Sequence, residues 1–403
     1  MHVVVTSFGS AGDFNPLLAI AAALVQRGVE VTFVANPFYA SRIEATGCRF
    51  VGAGEYFDVF AALEANPRYF NSRSGAVAIW NELAVPSIRE IYPVVLATIR
   101  EVGATAVVSH LLSYGGAWAA AATGVRSVIV TTTSSAWLSR HQPVVFANWR
   151  APRLLQGWMT VALRGMGTVL LTRWLKDLAR ELRAPSIAQI MREADLNLGV
   201  WPEWFRKPAP DDPPHSQMCG FVFDAADPSH SPPADLERFL AEGDAPVVVG
   251  FGSAASLHAA DRYIAVARAC TELGRRCLLI GASAAAVAPN SNLMAVAAAP
   301  YTRVFPRAAA VVHHGGFGTC AEALRAGKPS LVTPFAFDQF DTAARLDAAD
   351  LGCWLRNTDQ LSAALDQTLR SETLAVAAGH AARRIAAVGN GAQRAAELIA
   401  AAR

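Results

Sequence analysis

Two short stretches of this 403-residue chain carry side chains whose types and spacing suit chemistry. In one, Val311-Val312 runs into His313-His314-Gly315-Gly316-Phe317-Gly318-Thr319, with Glu322 and then Asp338-Gln339 farther on. An apolar run of strand type stops at a histidine, glycines follow, and residues 319–326 have helical propensity up to Gly327 and Pro329. The pattern predicts backbone N–H groups, a hydroxyl and an imidazole together at a helix N-terminus, which suits an anionic diphosphate. Glu322 falls on the first turns of that helix, where a carboxylate suits the dipole. Asp338 and Gln339 follow a second strand, at residues 330–333, and offer acceptor and donor groups to hydroxyls. In the other stretch, Gly9-Ser10-Ala11-Gly12-Asp13-Phe14-Asn15-Pro16 follows an apolar run at residues 2–8. Asp13 is either a general base or a helix N-cap.

Those residues need elements to hold them. Residues 2–8 read as a fully buried strand, residues 16–26 as a helix ended by Gly28, and residues 30–34 as a second strand. The alternation continues with strand 106–109, helix 115–122 and strand 127–130, the order of a Rossmann-type unit. A second α/β series opens at Pro246-Val247-Val248-Val249-Gly250-Phe251-Gly252-Ser253 and runs through strands at 277–280, 311–312 and 330–333. Gly252-Ser253 point at the same spot as His314. Residues 147–183, with Trp149, Trp158 and Trp174, read as long amphipathic helices, either packed on the domain, facing a lipophilic acceptor or meeting a membrane surface. The Pro-, Asp- and Ser-rich stretch up to Pro233 reads as a linker. Residues 373–403 form an Ala-rich helical tail broken at Gly389-Asn390-Gly391.

Composition narrows the classes. With 35 basic and 33 acidic residues the chain carries +2, so nothing global points to nucleic acid. Six cysteines are scattered without a CxxC pair, as expected of free thiols in a reducing cytoplasm. The first residues lack a basic leader region, and no apolar run reaches the length of a membrane span, so the expected location is cytoplasmic.

The run from His314 through Glu322 to Asp338-Gln339 resembles the donor-binding signature of family 1 glycosyltransferases, the UDP-glycosyltransferase type of the GT-B fold. The resemblance implies that His314 meets the diphosphate with Gly316, Phe317, Gly318 and Thr319, that Glu322 holds the ribose, and that Asp338 and Gln339 read the sugar. Ala299 and Tyr301 occupy the segment that meets the base. Gly9 to Pro16 is similar to the opening of bacterial sterol-type glycosyltransferases, glycopeptide glycosyltransferases and bacterial rhamnosyltransferases. Asp13 stands where plant and animal relatives carry a catalytic His, and Ser10 and Gly12 join the donor site.

The implied fold is α/β, with two Rossmann-like domains facing each other across a cleft. Their expected limits are an acceptor domain at 1–205, a linker at 206–233, a donor domain at 234–380, and a helix at 381–403 crossing back to the first domain. The implied activity is inverting and metal-independent, with no cofactor. A hexose passes from a UDP- or dTDP-sugar to a hydroxyl of a lipophilic small molecule. Asp13 is expected to be ionised near neutral pH, kept so by the following helix. His110, Ser134, Trp137 and His141 follow strands and are expected to line the acceptor pocket. A GT-B epimerase and a partner-dependent non-catalytic subunit remain as alternatives.

Overall fold

The computed structural model describes residues 1–71, 74–148, 152–185, 189–224 and 232–401. Trp149 and residues 225–231 of the expected linker lie outside them. The first half folds as β1 (His2–Thr6), α1 (Ala11–Gln26), β2 (Glu30–Ala35), β3 (Arg49–Gly52), α2 (Val85–Val102), β4 (Ala106–His110), α3 (Tyr114–Thr123) and β5 (Arg126–Thr131). There follow the long α4 (Arg153–Glu181), β6 (Leu196–Gly199) and β7 (Ser216–Met218). These strands form a parallel sheet in the order β3-β2-β1-β4-β5-β6-β7. Val3 and Val5 enter one buried cluster, while Val4 enters the cluster on the other face. That two-sided burial explains why the strands read as unbroken apolar runs.

The second half repeats the plan with β8 (Val247–Gly250), α5 (Ala260–Glu272), β9 (Cys277–Ile280), β10 (Leu293–Val296), β11 (Ala310–His313), α6 (Phe317–Arg325), β12 (Ser330–Val332), α7 (Gln339–Ala348) and β13 (Cys353–Trp354). Its parallel order is β10-β9-β8-β11-β12-β13. Three helices follow, one at Leu361–Arg370 and then α8 (Glu372–Val388) and α9 (Gly391–Ala401). Strand order reverses between β1 and β4 in the first sheet and between β8 and β11 in the second. In open α/β sheets, ligands collect in the crevice beyond the strand ends at such points.

Three boundaries differ from the sequence reading. First, α1 begins at Ala11, and Pro16 lies inside it, so Asp13 sits in the first helical turn instead of ahead of it. Second, β7 pairs with β6 through Asn197↔Ser216, so the stretch read as a linker from residue 206 still belongs in part to the first sheet. Third, the returning helix is α9. Its Ala392, Ala395, Ala396 and Ile399 share one core with Phe14, Leu17, Ala21 and Leu24 of α1, while residues 381–388 belong to α8. Arg126 Nη1 donates to the Ile399 carbonyl at 2.7 Å, fastening α9 to β5.

The long amphipathic helices expected at 147–183 are one helix, α4, with apolar residues on opposite faces. Leu175, Leu178 and Ala179 are buried against the domain, while Leu155, Trp158, Met166, Val169 and Leu170 face outward.

Candidate active site

At the first switch point, β1 delivers a glycine turn directly into α1. Gly9 has φ +117°, and a Cβ there would stand 2.4 Å from Asp13 Oδ2, so only glycine lets the carboxylate fold back over its own loop. Asp13 Oδ2 accepts from Ser10 N–H at 3.0 Å and from Ser10 Oγ at 3.3 Å. Tyr39 braces the turn. Its ring stacks on Phe14 at 3.8 Å, and its hydroxyl donates to the Gly9 carbonyl at 2.8 Å.

One carboxylate oxygen is thereby fixed, and the other points toward His110, whose Nε2 lies 3.6 Å from Asp13 Oδ1. The Asp13 side chain keeps 31% of its surface exposed. Burial nevertheless raises its pKa to about 6, and the Ser10 hydrogen bonds only partly oppose this. Asp13 therefore stays largely ionised near neutral pH, as expected, but desolvation outweighs the Ser10 hydrogen bonds and raises its proton affinity. The result is a stronger base than a free aspartate.

His110, at the end of β4, is 2% exposed. Its Nδ1 accepts from Leu112 N–H at 3.3 Å, which leaves the proton on Nε2, facing Thr132 Oγ1 at 3.1 Å and Asp13. Burial pushes its pKa down to about 3, so the ring is neutral and meets Asp13 as a dipole, not as an ion pair. His110 therefore supports the carboxylate and has no free surface for an acceptor.

Of the other residues expected to line the acceptor pocket, two are buried and one is exposed. Trp137 is 1% exposed, donates from Nε1 to Thr131 Oγ1 at 3.1 Å and packs edge-on against Trp201. Ser134 is fully buried. His141 is exposed, on a loop whose Ser139 and Arg140 are tied to Asp211. Thr133, which the sequence reading passed over, lies near enough to Asp338 of the second domain to oppose the rise of its pKa, while its hydroxyl pairs with Ser135 Oγ at 3.2 Å. The signal was present as Thr131-Thr132-Thr133, polar residues directly after an apolar strand.

At the second switch point the arrangement is different. His314 follows β11, and its ring lies between two glycines. A Cβ on Gly316 would stand 2.2 Å from His314 Nε2, and one on Gly252 would stand 2.9 Å from Cε1. Gly315, at φ +89°, passes so close to the Gln339 carbonyl that a Cβ would reach within 2.8 Å of it. His313 donates nothing to this turn. Its Nδ1 accepts from Gly315 N–H at 3.1 Å.

Burial, reinforced by the nearby His313 and Arg262, pushes the His314 pKa down to about 3. The ring is neutral, and its Nδ1 is buried without a partner among the described residues, as are His313 Nε2 and several core indole nitrogens. Among the described residues no side chain caps the N-terminus of α6, where Gly316 is the N-cap.

The remaining donor-side residues surround this turn unevenly. Tyr301 stacks on Phe305 at 4.2 Å, and burial pushes its pKa up to about 12, opposed by the nearby Gly252 backbone and Thr319 side chain. Gly318 is exposed at the first turn of α6, Ser253 is exposed, and Ala299 is half-buried. Phe317 turns its ring away into an aromatic cluster with Trp201, Phe205 and Phe221, so only its backbone remains at the turn. Ser10 is committed to Asp13, and Gly12 is exposed on α1.

Glu322 is held by Arg325 at 2.5 Å, and burial raises its pKa despite that pair, with Asp224 adding to the rise. Gln339 Oε1 accepts from the N–H groups of Phe335 and Ala336 at 2.7 and 3.0 Å, which leaves only its amide nitrogen to donate. Asp338 follows Phe337, whose φ of 57° is strained for a side-chain-bearing residue. Burial pushes the Asp338 pKa up to about 6; Thr133 opposes this, and the charge of Asp13 adds to it. The two carboxylates therefore feel each other across the cleft.

Comparison with known proteins agrees with this geometry. Residues 281–400 match the C-terminal domain of erythromycin biosynthesis protein CIII-like proteins. The chain is 28% identical over 361 residues to O-mycaminosyltylonolide 6-deoxyallosyltransferase of Streptomyces fradiae, covering 86% of this chain and 83% of that protein. It is 29% identical over 397 residues to dTDP-epi-vancosaminyltransferase of Amycolatopsis orientalis, covering 92% and 91%. The crystal structure of the glycotransferase of kitacinnamycin superposes with a TM-score of 0.75 at 21% identity, over 99% of this chain and 98% of that one.

Proposed function

This chain is a family 1 glycosyltransferase of the GT-B fold, and on that premise we propose that it transfers a hexose from a UDP- or dTDP-sugar to a hydroxyl of a lipophilic small molecule, inverting the anomeric centre. The observation that carries the reading is the pair of switch points. A loop-anchored carboxylate with a pKa near 6 stands at one, and an imidazole with one buried, unpartnered nitrogen beside an uncapped helix N-terminus stands at the other.

In this reading Asp13 takes the proton of the acceptor hydroxyl as that oxygen attacks the anomeric carbon. Ser10 holds Oδ2, so Oδ1 receives the proton, with the neutral His110 ring 3.6 Å away and itself held by Thr132. A base with a pKa near 6 is well matched to a neutral medium, being ionised yet more basic than a free aspartate. The departing diphosphate meets His314 and the N–H groups of Gly316, Phe317, Gly318 and Thr319, which are fixed before charge develops. Glu322 exchanges part of its Arg325 pairing for ribose hydroxyls. Asp338 and the Gln339 amide take sugar hydroxyls.

The thymidine nucleotide is the first donor to try, because the Amycolatopsis relative is named for one. The test supplies dTDP-glucose or UDP-glucose with a panel of hydroxy-fatty acid, sterol and polyphenol acceptors. Release of nucleoside diphosphate coupled to formation of a β-linked product from the α-linked donor is expected. An α-linked product would remove inversion. Sugar conversion without any acceptor would replace transfer by epimerisation.

A further inference from the structure

The outer face of α4 has no role in the site and, among the described residues, no apolar partner in the chain. Leu155, Trp158, Met166, Val169 and Leu170 recur at helical spacing and form one outward stripe, opposite the buried Leu175 and Leu178. Trp158 is 60% exposed and Val169 68%. A contiguous apolar patch of this kind on a folded domain marks a contact surface.

Charge identifies the partner. Residues 140–183 hold eight Arg and Lys against two acidic residues, Asp177 and Glu181, a net of +6. The whole chain carries +2, so the remainder carries −4. Both acids are already paired, Asp177 with Arg180 and Glu181 with Arg89. Arg140 lies over the Trp158 ring at 4.2 Å, and Arg173 and Lys176 are exposed at the other end of the stripe. A second copy of the chain docking by the same face would bring like charges together.

Among the described residues no helix is long and apolar enough to cross a bilayer. A basic helix with an exposed Trp and aliphatic stripe instead lies flat in the headgroup layer. The loop leading into α4 also borders the cleft, since Val145 N–H reaches Asp341 of the second domain at 3.2 Å.

We propose that α4 seats the acceptor domain on an anionic lipid surface, with the cleft opening beside it. The contact is interfacial and reversible, and apolar side chains and basic side chains both contribute to it.

The experiment is co-sedimentation with vesicles of phosphatidylcholine containing about a quarter phosphatidylglycerol, against phosphatidylcholine alone, at low and high salt. Neither donor nor acceptor is present, so the outcome is independent of the glycosyl-transfer reading. Binding to the anionic vesicles is expected, and it should weaken with salt. Trp158→Glu combined with Val169→Glu should lower partitioning at least about tenfold. Arg173→Gln and Lys176→Gln should each lower it about fivefold. All these positions are exposed, so an unchanged melting temperature confirms that each variant is folded. Absence of vesicle binding by the wild-type chain overturns the proposal, and so does binding that the variants leave intact. A concentration-dependent dimer that the same variants abolish, without vesicle binding, also overturns it and assigns the face to a second copy.

Discussion

The two switch points are built alike and finished differently. Each has a strand, a glycine turn and a helix, and each is covered by the neighbouring strand of its sheet. At the first, the turn supplies its own ligand: Asp13 folds back onto Ser10, and His110 from β4 completes the set. At the second, the turn holds a gap: His314 stands between Gly252 and Gly316 with a nitrogen unpartnered and a helix uncapped. The contrast teaches how one supersecondary unit serves two purposes. A self-satisfied turn holds a group whose proton affinity must be tuned. In the proposed function, an unsatisfied turn meets the diphosphate.

The comparison breaks most visibly at Asp13. Asp13→Asn keeps the Ser10 contacts possible but removes the base, so kcat should fall about a thousandfold while dTDP affinity measured by calorimetry stays unchanged. A parallel loss of affinity would merge the two roles. His314→Ala should do the reverse, weakening dTDP or UDP binding about thirtyfold through loss of a hydrogen bond to a charged group; unchanged binding would remove the anion role.

The pH profile sharpens the first half alone. The Asp13 pKa is raised to about 6, so the ionised base is present above that value and lost below it. Then kcat/KM should rise about tenfold per pH unit up to about pH 6 and level off above. A flat profile down to pH 5 would detach turnover from this carboxylate. Gly316→Ala should displace the His314 ring and cost about tenfold in nucleotide affinity, with about 1–3 kcal/mol of stability lost to overpacking. The smallest effect is expected from His110→Phe. Replacing the polar ring edge 3.6 Å from Oδ1 by an apolar one should lower kcat about three- to tenfold and move the acidic limb to higher pH, leaving nucleotide affinity intact; no movement of that limb would make His110 purely structural.

Much of this plan was legible in the sequence, because strands buried on both faces are written as unbroken apolar runs. The runs at Val3–Val5, Val247–Val249 and Val311–Val312 located both sheets, and the glycines after them located both turns. What the sequence withheld was direction. His110, Ser134 and Trp137 follow strand ends as expected, but whether such side chains point into the crevice or into the core depends on packing from other elements. The start of α1 was missed because Pro16 read as a helix beginning, whereas it sits inside the helix. β7 was missed because Ser216-Gln217-Met218 carries no apolar pattern and is a strand only because β6 offers it an edge. α4 read as amphipathic because periodicity reports one apolar face, and this helix has two.

The return of α9 onto α1 has a consequence in time. During synthesis, α1 emerges early, but the side of it that α9 covers stays bare until residues 391–401 have left the ribosome. The helix carrying Asp13 is thus completed only after the whole nucleotide half has been made. A nascent chain stalled between the halves exposes Leu17 and Ala21 instead of a finished base, a state that chaperones and proteases can recognise.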